Sequence, residues 1–156
     1  MRPRLVIVIE KVGRTLPFSC EQVFDLAADI ERYPEFLKWW ISARIQKRES
    51  NICYVEQVVG LGPIRLQFAS QAVLHRPERI DVTSTDLPFR HFRLSWLVAA
   101  IPSAGCRISV EAGLELQSGF LQHVVNQFLP AAVDDIISAF EARAYGTYDG
   151  RPTFLT

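Results

Sequence analysis

The sequence predicts an α+β fold in which one curved antiparallel sheet, of about seven strands, wraps on a long C-terminal helix. Two adjoining segments carry this prediction. In residues 106–117 apolar and polar side chains alternate, which is typical of a strand with one buried face. In the next segment, which ends near Tyr148, apolar side chains recur every three or four residues and predict one broad helical stripe. The stripe consists of Leu121, Val125, Phe128, Val133, Ile136, Ile137, Phe140 and Ala144.

The first part of the chain predicts a strand followed by two short helical segments. Leu5–Val12 is rich in β-branched residues and favours a strand. Ser19 and Gln22 have the spacing of a capping box, so a helix is expected to begin there. Pro34 would end that helix, and Tyr33–Leu37 is expected to form a second short helix or a turn.

The middle of the chain predicts a run of strands. Short joints rich in glycine, proline, serine and asparagine separate them, and such joints favour antiparallel neighbours. The strands are expected at Ala43–Glu49, Ile52–Val59, Ile64–His75, Arg79–Thr85 and Phe92–Ala100.

Proline 130 lies within the segment predicted as the long helix. Because proline removes one backbone hydrogen bond, either the helix kinks at Pro130 or two segments meet there. One domain is expected over residues 1–148, with a polar tail at 149–156.

Composition indicates a single folded core in a cytoplasmic protein. Lys+Arg and Asp+Glu both number 17, so no net charge favours DNA. Cys20, Cys53 and Cys106 are widely spaced, which indicates buried free thiols in a reducing compartment. The apolar run Leu5–Ile9 is shorter than a secretory signal, and no run is long enough to cross a membrane.

Few residues are placed for catalysis or metal binding. His75, His91 and His123 are not spaced as a zinc site, and no serine lies in a nucleophile elbow. No metal or cofactor is therefore expected. The predicted inward positions of the strands are almost all apolar, which suits an apolar ligand better than acid–base chemistry. These positions are Ile64, Leu66, Phe68, Leu94, Trp96 and Val110.

Two segments resemble a known superfamily. Residues 18–39 read FSCEQVFDLAADIERYPEFLKW, and residues 139–144 read AFEARA. Together with Leu87–Phe89, Trp96 and Gly105–Arg107, they resemble the START-like, helix-grip (SRPBCC) superfamily over about residues 3–148. The resemblance is to the branch of the coenzyme-Q-binding and RatA proteins, often labelled polyketide cyclase/dehydrase or oligoketide cyclase/lipid transport protein. This chain has Lys38, Trp39 and Trp40 where that branch commonly has a proline and a small residue or cysteine.

The resemblance implies a non-catalytic protein that binds a hydrophobic ligand, such as ubiquinone or another lipid, between the sheet and the last helix. It also implies transient membrane contact. Tyr33, Trp39, Trp40 and the Leu87–Phe89 loop are expected to form the rim. The expected ligand-binding residues are Phe36, Trp39, Tyr54, Phe68, Phe89, Trp96, Phe128, Val133 and Ile137.

Two alternatives stay open at this point. A RatA-like regulator would associate with the ribosome, and the sequence offers one local basic cluster for this purpose. The cluster consists of Arg32, Lys38, Arg44, Lys47 and Arg48. An aromatic polyketide cyclase would use an inward polar group, for which Arg65 and Arg93 are candidates.

The tandem tryptophans allow a specific expectation. Consecutive residues of an extended segment point in opposite directions, so one indole should face the cavity and the other the surface. Trp39 continues the face of Phe36 and is expected to be the inward ring, while Trp40 is expected on the surface.

Overall fold

Seven strands form a single antiparallel sheet in the computed structural model, which describes residues 8–149. Their order is β1-β7-β6-β5-β4-β3-β2, so the first two strands of the chain form the two edges of the curved sheet. This architecture confirms the predicted fold. The strands are β1 (Val8–Leu16), β2 (Trp40–Glu49), β3 (Ile52–Leu61), β4 (Ile64–His75), β5 (Arg79–Ser84), β6 (Phe89–Ile101) and β7 (Gly105–Leu116).

Two α-helices and two short helical turns complete the fold. α1 (Cys20–Ala28) begins with the predicted capping box, in which Gln22 N donates to Ser19 Oγ and Ser19 N donates to Gln22 Oε1. A 3₁₀ helix (Ile30–Glu35) follows it and leads to β2. α2 (Gly119–Ala144) comes after β7, and a π-helical turn (Tyr145–Asp149) follows α2.

The core lies between α2 and the inner face of the sheet. Alternate residues of β7, from Cys106 to Leu116, are buried on that face, as the alternation of the sequence predicts. Val133, Ile137 and Phe140 of the helical stripe are fully buried against them. Removing this apolar surface from water stabilises the fold by about 25 cal/mol per Å².

Helix α2 is continuous through Pro130, so the alternative of two separate segments is wrong. Pro130 lies on the exposed side of the helix, where water can satisfy the carbonyl group that loses its partner. Ion pairs on the helix flanks join Arg14 to Glu141 at 3.4 Å and Arg143 to Glu35 at 2.7 Å. Because these pairs are partly exposed, each contributes at most about 1 kcal/mol.

Several element boundaries differ from those predicted. β1 continues beyond Val12 to Leu16, because Leu16 pairs with Cys106 of β7. β6 begins at Phe89 rather than Phe92, because Phe89 pairs with the end of β7. Residues 1–7 and 150–156 carry the predicted start of the first strand and most of the tail, and they lie outside the described residues.

The three cysteines are free thiols, and two of them come closer together than their spacing suggested. Cys20 begins α1, whereas Cys106 is fully buried at the start of β7. Burial raises the pKa of the Cys106 thiol to about 11, and the nearby Cys20 adds to the rise. The elements that carry these two thiols, α1 and β7, are in contact in the fold.

We predict that thiol labelling will separate the cysteines by burial. At pH 8 a pKa of about 11 leaves roughly one part in a thousand of Cys106 as the reactive thiolate. An aromatic disulfide reagent should thus modify the partly exposed Cys20 first, and the other two only after denaturation. Non-reducing mass spectrometry should find no bridge, and a Cys20–Cys106 disulfide in freshly purified protein would contradict the prediction.

A second prediction tests the packing of α2. Ile137→Asp places an unpaired carboxylate on the buried stripe and should lower the free energy of unfolding by at least about 3 kcal/mol. Ser138→Asp is the matched control, because Ser138 is exposed and its side chain faces Arg14. It should change the free energy of unfolding by less than about 0.5 kcal/mol in urea titrations. Equal effects of the two substitutions would show that the helix packs through a different face.

Candidate ligand-binding site

A small apolar cavity lies between α2 and the inner face of the sheet. Its volume is about 40 Å³, and no polar surface lines it. Strands β2, β3, β6 and β7 form its floor, and the middle of α2 forms its roof. The lining residues are Trp39, Trp40, Val59, Leu61, Phe92, Leu94, Ala112, Leu114, Leu129, Ala132, Val133 and Ile136.

Aromatic side chains fill the space on two sides of this cavity. Phe68, Phe89 and Phe92 form one cluster, with ring centroids 4.8–5.1 Å apart. Trp96 lies in the other cluster, 4.9 Å from the ring of Phe140 and 6.2 Å from that of Tyr33. The interior is therefore largely packed, and the remaining space is comparable with the volume of one water molecule.

Trp39 separates this cavity from the surface. A groove of about 320 Å³ runs between α2 and residues 36–39, and Trp39 and Ile136 line both the groove and the cavity. The ring of Trp39 is partly exposed, yet its Nε1 is buried and has no hydrogen-bond partner among the described residues. Lys38 lies over this ring at 5.3 Å and forms a 3.2 Å ion pair with Asp135 of α2.

Trp40 is buried, so its expected position on the surface is wrong. Its side chain is 7% exposed and lines the cavity together with Trp39. The expectation assumed an extended segment, but Trp39 lies in a turn in which Trp40 N donates to Leu37 O. The alternation rule therefore does not apply to this pair, and β2 begins at Trp40 rather than at Ala43.

A buried polar chain anchors Trp40, and sequence reasoning missed it. Trp40 Nε1 donates to Gln57 Oε1 at 2.7 Å, and Gln57 Nε2 donates to Ser70 Oγ at 2.8 Å. Ser70 Oγ in turn donates to Val55 O at 2.9 Å. Gln57 could have indicated this chain in the sequence, because it is a polar residue at an inward position of β3, between Val55 and Val59.

Tyr33, which was expected at the rim, lies in the core beside Trp40. It is buried, and its hydroxyl donates to Ala27 O. Burial raises the pKa of Tyr33 well above its usual range. Its ring lies 5.7 Å from that of Trp40, in an edge-to-face arrangement.

Only two of the nine expected ligand-binding residues, Trp39 and Val133, line the cavity. Phe36 lines the adjoining groove, whereas Tyr54 lies on the outer face of the sheet, away from the cavity. The remaining five are elsewhere between α2 and the sheet. Phe68, Phe89, Trp96 and Ile137 are buried in the core, and Phe128 is partly buried against it.

Phe128 of α2 is partly buried against the core next to the turn between β3 and β4. It packs on Gly62 in the turn between β3 and β4, where a Cβ atom would lie 2.5 Å from the ring. Gly62 also has a φ of 60°, a conformation that favours glycine.

In the loop expected to form the rim, Leu87 is exposed but Phe89 is buried in the core, because Phe89 pairs with Leu116.

The basic cluster is largely neutralised by neighbouring carboxylates. Arg32 pairs with Asp29 and Glu35, and Lys47 pairs with Glu49. Arg65 and Arg93 are exposed on the outer face and do not enter the cavity.

Within residues 8–149, no group of three or more potential metal ligands is present, and no helix is both long and apolar enough to cross a membrane.

A curved sheet around a long helix, with an apolar cavity between them, defines a START-like, helix-grip protein. Residues 16–141 match the family model described as polyketide cyclase / dehydrase and lipid transport, and the chain belongs to this family. Within the superfamily it falls in the branch that holds the RatA and COQ10 proteins.

Three known proteins illustrate this relationship. The ribosome association toxin RatA of Pseudomonas aeruginosa is 24% identical over 85% of this chain and 92% of its own length. The mitochondrial coenzyme Q-binding protein COQ10 of Dictyostelium discoideum is 26% identical over 98% of this chain and 77% of its own length. The crystal structure of TTHA0849 from Thermus thermophilus has the same fold, with a TM-score of 0.80, 19% identity and coverage of 91% of this chain and 100% of its own.

We predict that Gln57 stabilises the wall of the site. Gln57→Leu leaves Trp40 Nε1 without its buried acceptor and should lower the free energy of unfolding by about 1–3 kcal/mol. Gln67→Leu is the control, since Gln67 is exposed on the neighbouring strand and makes only a 3.5 Å contact with Glu56. Urea unfolding should show little change for Gln67→Leu, and similar losses for both variants would contradict a role of the buried chain.

Proposed function

We propose that this protein is a non-catalytic carrier of a hydrophobic ligand, such as a polyisoprenoid quinone or another lipid. The observation that supports this function best is a wholly apolar cavity that adjoins a surface groove at Trp39 and Ile136. Such a lining suits a hydrocarbon tail, whose burial supplies about 25 cal/mol per Å² of affinity.

Ligand entry requires the cavity to widen, because 40 Å³ cannot hold a prenyl chain. Trp39 is the side chain that would move, since it lies between the cavity and the groove. The Lys38–Asp135 ion pair beside it is exposed, so breaking it costs at most about 1 kcal/mol. A displaced Trp39 joins the groove of about 320 Å³ to the cavity.

The unpartnered Nε1 of Trp39 supports a ligand that carries an oxygen atom. A buried N–H group without an acceptor is unfavourable by about 1–3 kcal/mol. A quinone carbonyl or an ester oxygen at the mouth would accept this hydrogen bond while the tail occupies the cavity. The same ligand would also contact Phe36 and Val133, which line the groove and the cavity respectively.

A ribosome-associated regulator is the second candidate. Two observations favour it: the packed interior, and the RatA proteins among the relatives. The neutralised basic cluster and the zero net charge weaken the case for RNA binding.

Polyketide cyclisation has less support, because no acid or base lines the cavity. The free cysteines are consistent with the cytoplasmic location that we propose for either function.

We predict that Trp39→Ala will weaken binding of decylubiquinone or a fluorescent fatty acid by about 1–3 kcal/mol. The truncation removes a large aromatic contact at the mouth, and the partial exposure of Trp39 should leave the fold intact. Tyr54→Ala is the matched control, because Tyr54 lies on the outer face of the sheet and should leave affinity unchanged. Fluorescence titration measures the affinities, and thermal unfolding checks that both variants are folded.

Two further results would decide between the candidates. Mass spectrometry of organic extracts should find a quinone or lipid in protein exposed to membranes. Protein that takes up no such molecule, but cosediments with large ribosomal subunits at two salt concentrations, would overturn the carrier function in favour of the regulator.

A further inference from the structure

A surface groove of about 740 Å³ runs along the last residues of β6. The first turn of α1 lines it with Cys20 and Glu21, and the turn between β4 and β5 lines it with Pro77 and Glu78. None of the residues that line this groove also lines the apolar cavity under α2. The groove is therefore a separate feature, and what it binds does not depend on the carrier function.

The groove exposes a free edge of β6. The ladder between β5 and β6 ends at the pair of Arg79 and Leu97, whereas β6 continues beyond Leu97. Val98 N donates to Glu78 O at 2.8 Å, so the backbone N–H of Val98 points away from β7. Because the ladder with β7 is regular here, the N–H and C=O of Ala100 point the same way, and no described residue satisfies them on that side. These two groups can pair with one more extended segment.

The unpaired charge at the groove is negative. Glu21 and Glu78 are exposed, and neither forms an ion pair with a described residue. The nearby arginines are occupied, since Arg76 and Arg79 pair with aspartates at 2.8 and 2.6 Å. The guanidinium of Arg107 lies over β1, on the side of β7 away from β6. The groove therefore favours a cationic partner.

We propose that this groove binds an extended, basic segment of a partner protein, which adds to the free edge of β6 and places lysine or arginine side chains beside Glu21 and Glu78. A polypeptide backbone supplies the hydrogen bonds that Ala100 lacks, and exposed sheet edges commonly bind peptides in this way. Half-buried Leu97 and Pro77 offer apolar contacts to the alternate side chains of such a segment. Two carboxylates repel phosphate groups, which argues against RNA or an anionic membrane as the occupant.

Fluorescence anisotropy with short labelled peptides tests the proposal. In the first peptide lysine and valine alternate, and two further peptides replace every lysine by glutamate or every valine by proline. Wild-type protein should bind the lysine–valine peptide at least about tenfold more tightly than either of the others, because glutamate reverses the charge and proline cannot continue a ladder. About 0.5 M NaCl should weaken this binding.

Variants of the groove show whether the peptide binds at this edge. Ala100→Pro removes the N–H that faces the groove and should abolish binding, while the ladder with β7 keeps its bonds because this N–H takes no part in it. Glu21→Gln/Glu78→Gln should weaken binding of the lysine–valine peptide about fivefold and reduce its salt dependence. Glu49→Gln/Glu56→Gln is the matched control, since it changes the net charge equally on β2 and β3, which do not line the groove.

Circular dichroism should show that all variants are folded. Heteronuclear NMR of the wild type gives a readout that does not depend on any variant, because added peptide should shift the amide signal of Ala100. Unchanged binding by folded Ala100→Pro, an equal loss in Glu49→Gln/Glu56→Gln, or no shift of the Ala100 signal would overturn the proposal. If the peptide does not bind and Ala100→Pro instead abolishes self-association in analytical ultracentrifugation, the edge belongs to a second copy of the chain and the proposal fails.

Discussion

The packing of α2 on the inner face of the sheet is the contact on which the rest of the structure depends. Neither partner is stable alone, because each presents a continuous apolar surface to water. The strands curve around the helix, and Val133, Ile137 and Phe140 fill the space at its centre. Every candidate site on the inner face exists only in the volume that this packing leaves unfilled.

That unfilled volume is small, and its shape follows from aromatic side chains on two sides of it. The Phe68, Phe89 and Phe92 cluster bridges β4 and β6 where β5 is too short to lie between them. The cluster of Tyr33, Trp96 and Phe140 occupies the side towards α1. The space between the clusters is closed by side chains, and in the carrier function that we propose a movement of Trp39 would enlarge it without breaking the sheet.

The two adjacent indoles that line the cavity, Trp39 and Trp40, differ in their hydrogen bonding. Gln57 is buried and has partners on both sides, so it holds Trp40 against the sheet and gives that wall a fixed geometry. Trp39 Nε1 is buried and has no partner within residues 8–149, and its ring rests beside an exposed ion pair. One indole is therefore held by a hydrogen bond and the other is not, although they are adjacent in the sequence.

The sequence by itself determined the fold class, the capping box of α1, the apolar stripe of α2 and the buried face of β7, because each depends on a local period that the side chains repeat. Tertiary structure decided which tryptophan is buried, since a turn at Trp39 and an acceptor from β3 override the alternation of an extended segment. It also placed Tyr54 on the outer face and made the cavity small. Cavity volume depends on how side chains from distant elements fill shared space, and no local period of the sequence records that quantity.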